Sequence, residues 1–212
     1  SLAKALSLAS ATPVLHLARL RWGQPRDGVG RQYPGLLSPC GRWLYRPELA
    51  LSAGKLLRDE WVHIPLPANL GRELKALGTD SGEGALVFPP EGGAIQGSQR
   101  LRASGRPSAT QLQRALVCRL VTNRRWGPSS AQYVAGDDLG IDLAPLHYDK
   151  ISAADLAILV SGITSPWFGE PPGRLEGSLP THFVGSRRVP EAGAISDALL
   201  GIREGWEASS KS

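Results

Sequence analysis

The stretch "EWVHIPLPANLGRELKALG", Glu60–Gly78, carries a strand and a helix back to back, and its reading sets the fold class. Trp61, Val62 and Ile64 supply the aromatic and β-branched content of a strand, which Pro65 and Pro67 close. Asn69 then offers the short polar side chain of an N-cap, Leu70, Leu74 and Leu77 share one apolar stripe, and Gly78 ends the helix. Upstream, "GRWLYR", Gly41–Arg46, has the same strand character, and the loop between the two strands carries Lys55. Helical patterns occupy most of the remaining ordered sequence. The expected class is therefore α+β: mainly α with a small antiparallel β-sheet.

Working outward, residues 2 to about 20 read as helical, with Leu2, Leu6 and Leu8 in one apolar set and Val14, Leu17 and Leu20 in another. Pro13 splits the two or starts a new helix. "ALVFPP", Ala85–Pro90, looks like another short buried strand, and residues 91–108 form a Gly/Ser/Arg-rich basic loop. A helix is predicted from about Ala109 to Thr122. Its apolar residues Leu112, Leu116, Val117, Leu120 and Val121 fall within about half the circumference; Thr110 and Gln113 project within that arc, while Arg114 and Arg119 flank it.

Ser152, with Asp155 three residues on, makes a capping-box-like start to the apolar helix "AADLAILVSGI". An irregular Pro/Gly segment follows, and a last helix starting at Pro190 places Ile195, Leu199, Ile202 and Trp206 on one stripe. This divides the chain into a domain over residues 1–189 and a C-terminal helix and tail over 190–212, the stripe suited to docking on a neighbouring subunit or on its own core.

The 212 residues suffice for one sizeable core, and 24 Lys plus Arg against 19 acidic residues give +5 and favour a polyanionic partner. Cys40 and Cys118 alone build neither a disulfide framework nor a four-ligand zinc site, which fits a reducing, cytoplasmic setting. No 18-residue apolar run occurs, so no membrane partner is expected. The chain starts at Ser1 and contains no methionine, as expected of a processed piece with upstream residues removed. Walker A, GxSxG, HExxH and GxGxxG signatures are absent, and His16, His63, His147 and His182 lack metal-ligand spacing. "LHYDK", Leu146–Lys150, reads locally as a polar turn ahead of the next helix.

The order of motifs adds a second reading. "ATPVLHLARLRW" is similar to "TGLRxxELxxLRW" of the tyrosine recombinases, the phage-integrase superfamily found also in integrative elements; "EWVHIPLPANLGRELKAL" looks like that family's strand ending in "VPLP" and its next helix. "ATQLQRALVCRLV" stands where the His-x-x-Arg helix belongs, "AGDD" where "LGH" belongs, and "LAPLHYDKI" where "TTxxYxH" carries the nucleophile. The resemblance spans about three-quarters of the chain. It implies a recombinase catalytic-domain fold, acting in the cytoplasm at the nucleoid, with double-stranded DNA as partner and no metal or cofactor. Through the C-terminal helix it also implies a second copy or a partner recombinase.

The implied chemistry is attack of a tyrosine on a phosphodiester, two arginines clamping the phosphate oxygens and a lysine and histidine-type groups assisting proton transfer. Carried over residue by residue, the nucleophile falls on Tyr148 beside His147, and Lys55 takes the lysine position. The first arginine falls on Pro13. The His-x-x-Arg pair falls on Thr110 and Gln113, or on Gln111 and Arg114 if the helix slides by one residue, and the later His/Trp position falls near Asp137, whose carboxylate would repel a phosphate. The implied DNA contacts are Arg100, Arg102, Arg106, Arg124, Arg125, Arg187 and Arg188.

Three functions fit this pattern. The first is a DNA-binding recombinase-like protein of DNA integration with a degenerate catalytic centre. The second is an active tyrosine recombinase using Tyr148, Arg114 and Lys55. The third is a protein-interaction module on the same fold.

Overall fold

A computed structural model of the chain describes residues 2–25, 35–47, 61–78, 81–89, 108–135, 150–172, 175, 178–185 and 200. In chain order the elements are α1 (Leu2–Ser10), α2 (Val14–Leu17), β1 (Arg21–Trp22), β2 (Leu36–Leu37), β3 (Trp43–Pro47), β4 (Trp61–Pro65) and α3 (Ala68–Leu77). There follow α4 (Ala109–Val121), α5 (Gly127–Ala135), β5 (Lys150–Ser152), α6 (Ala153–Thr164), a 3-10 turn (Ser165–Phe168) and β6 (Phe183–Gly185). The class is α+β, with about half the structure helical.

The two expected strands pair antiparallel in the register Trp43↔Pro65, Tyr45↔His63 and Pro47↔Trp61. β2 adds antiparallel to β3, and β1 adds parallel to β2, so the four-stranded sheet is mixed rather than purely antiparallel. Side-chain alternation divides it into two faces. Leu37, Leu44, Val62 and Ile64 join the main core, whereas Leu36, Tyr45 and Trp61 form a separate cluster with Trp43 on the other side. β5 and β6 make a small antiparallel pair. The expected strand over Ala85–Pro90 contracts to a single bridge, Arg21↔Leu86, although Val87 and Phe88 are buried.

Helices cover the core face. Ala3, Leu6 and Ala9 of α1 meet Leu116, Val117 and Leu120 of α4, which packs on its other side against α5. Pro13 does start a new helix, its carbonyl accepting from the N–H groups of His16 (2.9 Å) and Leu17 (3.1 Å). A buried hydroxyl cluster closes α1 just before it. Ser7 Oγ donates to the Thr12 carbonyl (2.8 Å) and Ser10 Oγ to the Leu6 carbonyl (2.7 Å), holding the reversal in which Ala11 takes φ +53°. Ser152 caps α6 as expected, accepting from the Asp155 N–H at 3.4 Å.

α3 is built differently from its sequence reading. Pro67 occupies the N-cap position and has no side-chain bond to give, and Asn69 lies inside the first turn. The exposed amides are capped by Glu170, whose Oε2 accepts from Ala68 N (2.8 Å) and Oε1 from Asn69 N (2.6 Å). A carboxylate there also meets the positive end of the helix dipole. Leu70 and Leu74 are buried, but Leu77 at the last turn is 51% exposed. Gly78 ends the helix against the indole of Trp22, where a Cβ would come within 2.4 Å of the ring.

Close backbone approach fixes where α3 sits. A Cβ on Gly71 would lie 2.7 Å from the Gly41 carbonyl oxygen, and one on Gly41, at φ +72°, would lie 2.3 Å from that of Gly71. Neither backbone can yield without moving the β3 turn or the helix. Gly71→Ala is expected to destabilise the fold by about 3 kcal/mol, and Glu170→Ala by about 1 kcal/mol through loss of the cap. Urea unfolding of each variant checks both, and wild-type stability in Gly71→Ala would refute the contact.

Candidate functional site

Most of the recombinase-like constellation lies outside the described residues: Tyr148, His147, Lys55, Asp137, Arg100, Arg102, Arg106, Arg187 and Arg188. So does the helix expected from Pro190 onward, except Leu200, which is helical and 55% exposed. The structure does define the elements that flank these positions. Lys55 belongs to the segment joining the paired strands β3 and β4, and Tyr148 comes two residues before β5.

α4 carries the described part of the proposed centre. Ser108 caps it in a reciprocal box: Ser108 Oγ accepts from Gln111 N (3.2 Å) and Gln111 Oε1 accepts from Ser108 N (2.7 Å). The box commits the Gln111 side chain to the helix end and sets where the helix starts. Leu116, Val117 and Leu120 are then buried, Gln113 is half-buried, and Arg114 is exposed. Thr110 does not face inward as expected. Its turn precedes the packed part of the helix, so it meets solvent, and Val121 past the other end of the packed stretch is likewise 37% exposed.

Arg114, Arg119, Arg124 and Arg125 are all exposed along α4 and the corner that follows it. Asn123 Oδ1 accepts from the N–H groups of Arg125 and Trp126, both at 3.0 Å, and this side-chain turn sets up the corner. Gly127 then enters α5 at φ +44°. The Arg125 guanidinium lies 4.7 Å above the Trp126 ring centre. It stands 3.9 Å from the Asp155 carboxylate, with side chains 72% and 42% exposed, so the ion pair contributes little.

On the outer face of the sheet the fold makes a cluster that sequence spacing could not reveal. His63, opposite Tyr45 across the β3–β4 ladder, meets His182 with ring centres 4.9 Å apart and edge-on geometry. Tyr45 lies 4.9 Å and Trp43 6.1 Å from the same imidazole. His182 Nε2 bonds the Trp61 carbonyl at 2.9 Å, and the His182 carbonyl accepts from Ala153 N at 3.0 Å. One residue thus ties the β6 approach to both the sheet and the start of α6. Burial, and secondly the neighbouring His182, push His63 down from 6.5 to about 4. Burial, and secondly Cys40, push the Tyr45 phenol up from 10.0 to about 12.

Both groups are therefore uncharged at neutral pH, which suits a packing junction rather than a phosphate clamp. Among the described residues no group of three or more His, Cys, Asp or Glu side chains could hold a metal ion, and no helix is long and apolar enough to cross a membrane. Neither protein-family models, nor curated proteins, nor solved structures match the chain.

The histidine junction carries a pH dependence of defined sign. Between pH 6.5 and about 4 the unfolded chain protonates His63 while the folded chain does not. Stability present above pH 6.5 is thus lost progressively as pH falls towards 4. His63→Phe, which keeps an edge-on aromatic, is expected to flatten this part of the profile in thermal unfolding followed by circular dichroism. A variant whose melting temperature falls with pH as steeply as wild type would contradict the assignment.

Proposed function

We propose that the chain is a duplex-DNA-binding protein of the tyrosine-recombinase type, involved in DNA integration or recombination, whose catalytic centre has lost its charge compensation. The observation that carries this reading is the order of its elements. A helix pair leads into strands, the β3–β4 pair has Lys55 in its connection and is followed by α3, and a basic segment leads into α4. Tyr148 then stands two residues ahead of β5. The recombinase resemblance rests on this same order of motifs along the chain.

The side chains at the matched positions support the degenerate centre. Pro13, in the first arginine's place, brings no charge and serves to start α2. Thr110 and Gln113 are neutral, and the alternative pair is no better placed, with Gln111 bound to its helix cap and Arg114 exposed on the solvent side. A pentavalent phosphate needs donors aimed at its oxygens, and loss of a single such donor typically costs about 10²–10³ in rate. Tyr148 without two arginines would attack too slowly for strand exchange.

Electrophoretic retardation at low salt with a pool of random-sequence duplexes, each carrying a single nick, tests both parts. The wild type is expected to retard the pool and to form no covalent protein–DNA adduct that survives denaturing gel electrophoresis. Tyr148→Phe should bind equally well. An adduct formed by wild type and lost in Tyr148→Phe would overturn the degenerate centre, and failure to bind any duplex would overturn the DNA reading itself.

A further inference from the structure

We infer that the solvent face of α4, continued through the Arg124–Trp126 corner, is the surface on which duplex DNA lies, gripped by its phosphates rather than read by its bases. This rests on the duplex-DNA reading above and assigns it a place on the molecule.

Charge along the chain is segregated. Residues 92–136 contain seven arginines and not one Asp or Glu, so a chain of net +5 consists of a +7 segment and a remainder of −2. Within the described part of that segment, α4 turns Leu116, Val117 and Leu120 inward and leaves Thr110, Arg114, Cys118, Arg119 and Thr122 exposed. Thr110, Arg114, Cys118 and Thr122 follow one another at four-residue steps and form one stripe about 18 Å long at 1.5 Å per residue. Arg124 and Arg125 extend the positive charge beyond its end. A helix face that merely needs solvation interleaves acids and bases at this spacing. Here no described carboxylate pairs with Arg114, Arg119 or Arg124. The dipole favours cations at the C-terminal turn, which accounts for Arg119 but not for Arg114 in mid-helix.

Duplex is favoured over single-stranded nucleic acid by what the face lacks. Binding of single strands rests on aromatic platforms for unstacked bases. The exposed face of α4 has none, and Trp126, the aromatic next to it, packs against the core and has Arg125 over its ring. Long guanidinium side chains on a smooth helix suit the evenly spaced phosphates of a duplex, with affinity that comes from counterion release.

The test compares wild type with the fourfold variant Arg114→Gln, Arg119→Gln, Arg124→Gln, Arg125→Gln on an intact random-sequence duplex across a salt series. Loss of four phosphate contacts should reduce the slope of log affinity against log salt by about 3 to 4. Independently of that variant's folding, the wild-type thiols report the surface directly. Bound duplex should slow alkylation of Cys118, in the middle of the stripe, at least fivefold and leave exposed Cys40, in the turn before β3, unchanged. Wild type that binds duplex while the variant keeps its slope, or while Cys118 stays unprotected, overturns this surface and leaves the DNA reading standing. Tighter binding to single strands than to duplex overturns the choice of ligand, and no binding to any nucleic acid overturns the DNA reading with it.

Discussion

Arg46 places a full charge on the core side of the central sheet, and the packing around it is arranged to meet that charge. Its side chain shares a face with Leu44, Val62 and Ile64, and the residue is only 8% exposed. A buried guanidinium stripped of partners costs about 3–5 kcal/mol, so something must bring acceptors into an otherwise apolar layer. The carbonyl of Val134 does this, accepting from Nη1 at 2.5 Å. That carbonyl belongs to the last turn of α5, where helix carbonyls lack intrahelical donors and the dipole is negative. One contact thus engages both a strand's charge and a helix's open end.

The consequence spreads through the helical layer. α5 packs along α4 and touches β4, and every residue from Ser129 to Ala135 is buried. Its serines must then find partners inside, and Ser130 Oγ bonds the Gly127 carbonyl at 2.8 Å. α4 packs along α5 on one side and α1 on the other, so its inward face is fully taken. Arg114 and Arg119 are then left to face solvent. The position of the arginines on the surface follows from the burial of Leu116, Val117 and Leu120 between α1 and α5.

How much of this was legible in the sequence depended on whether the deciding partner was local. Strands β3 and β4, the break at Pro13, the Ser152 cap and the span of α4 come from short-range chemistry, and all are present. α5 offered no such signal: Ser129, Ser130 and Gln132 are buried along with Ala131, Tyr133 and Val134, so polarity in "GPSSAQYVA" does not mark a solvent face. Asn69 looked like a cap because it was nearby, yet the carboxylate that does the capping comes from Glu170, brought in by the turn after α6. His63 and His182 meet for the same reason, across a distance no spacing rule spans. Thr110 and Leu77 show the opposite error. A helical wheel assigns each residue a direction but does not say where along the axis the neighbouring surface ends.

On the proposed reading, affinity and catalysis separate because they demand different precision. Counterion release grows with the number of cations near the backbone and tolerates exposed, mobile arginines several ångströms from any one phosphate. Transition-state stabilisation needs donors fixed about 3 Å from particular oxygens in a water-poor site. Pro13 and Gln113 contribute nothing to the second demand, while the sequence around α4 retains a great deal of the first. Neither substitution touches the seven arginines of residues 92–136, and the scaffold's packing rests on Leu116, Val117, Leu120 and the sheet. On this reading a recombinase-like fold that lost its chemistry would keep most of its hold on DNA, because the groups that bind are more numerous than the groups that react.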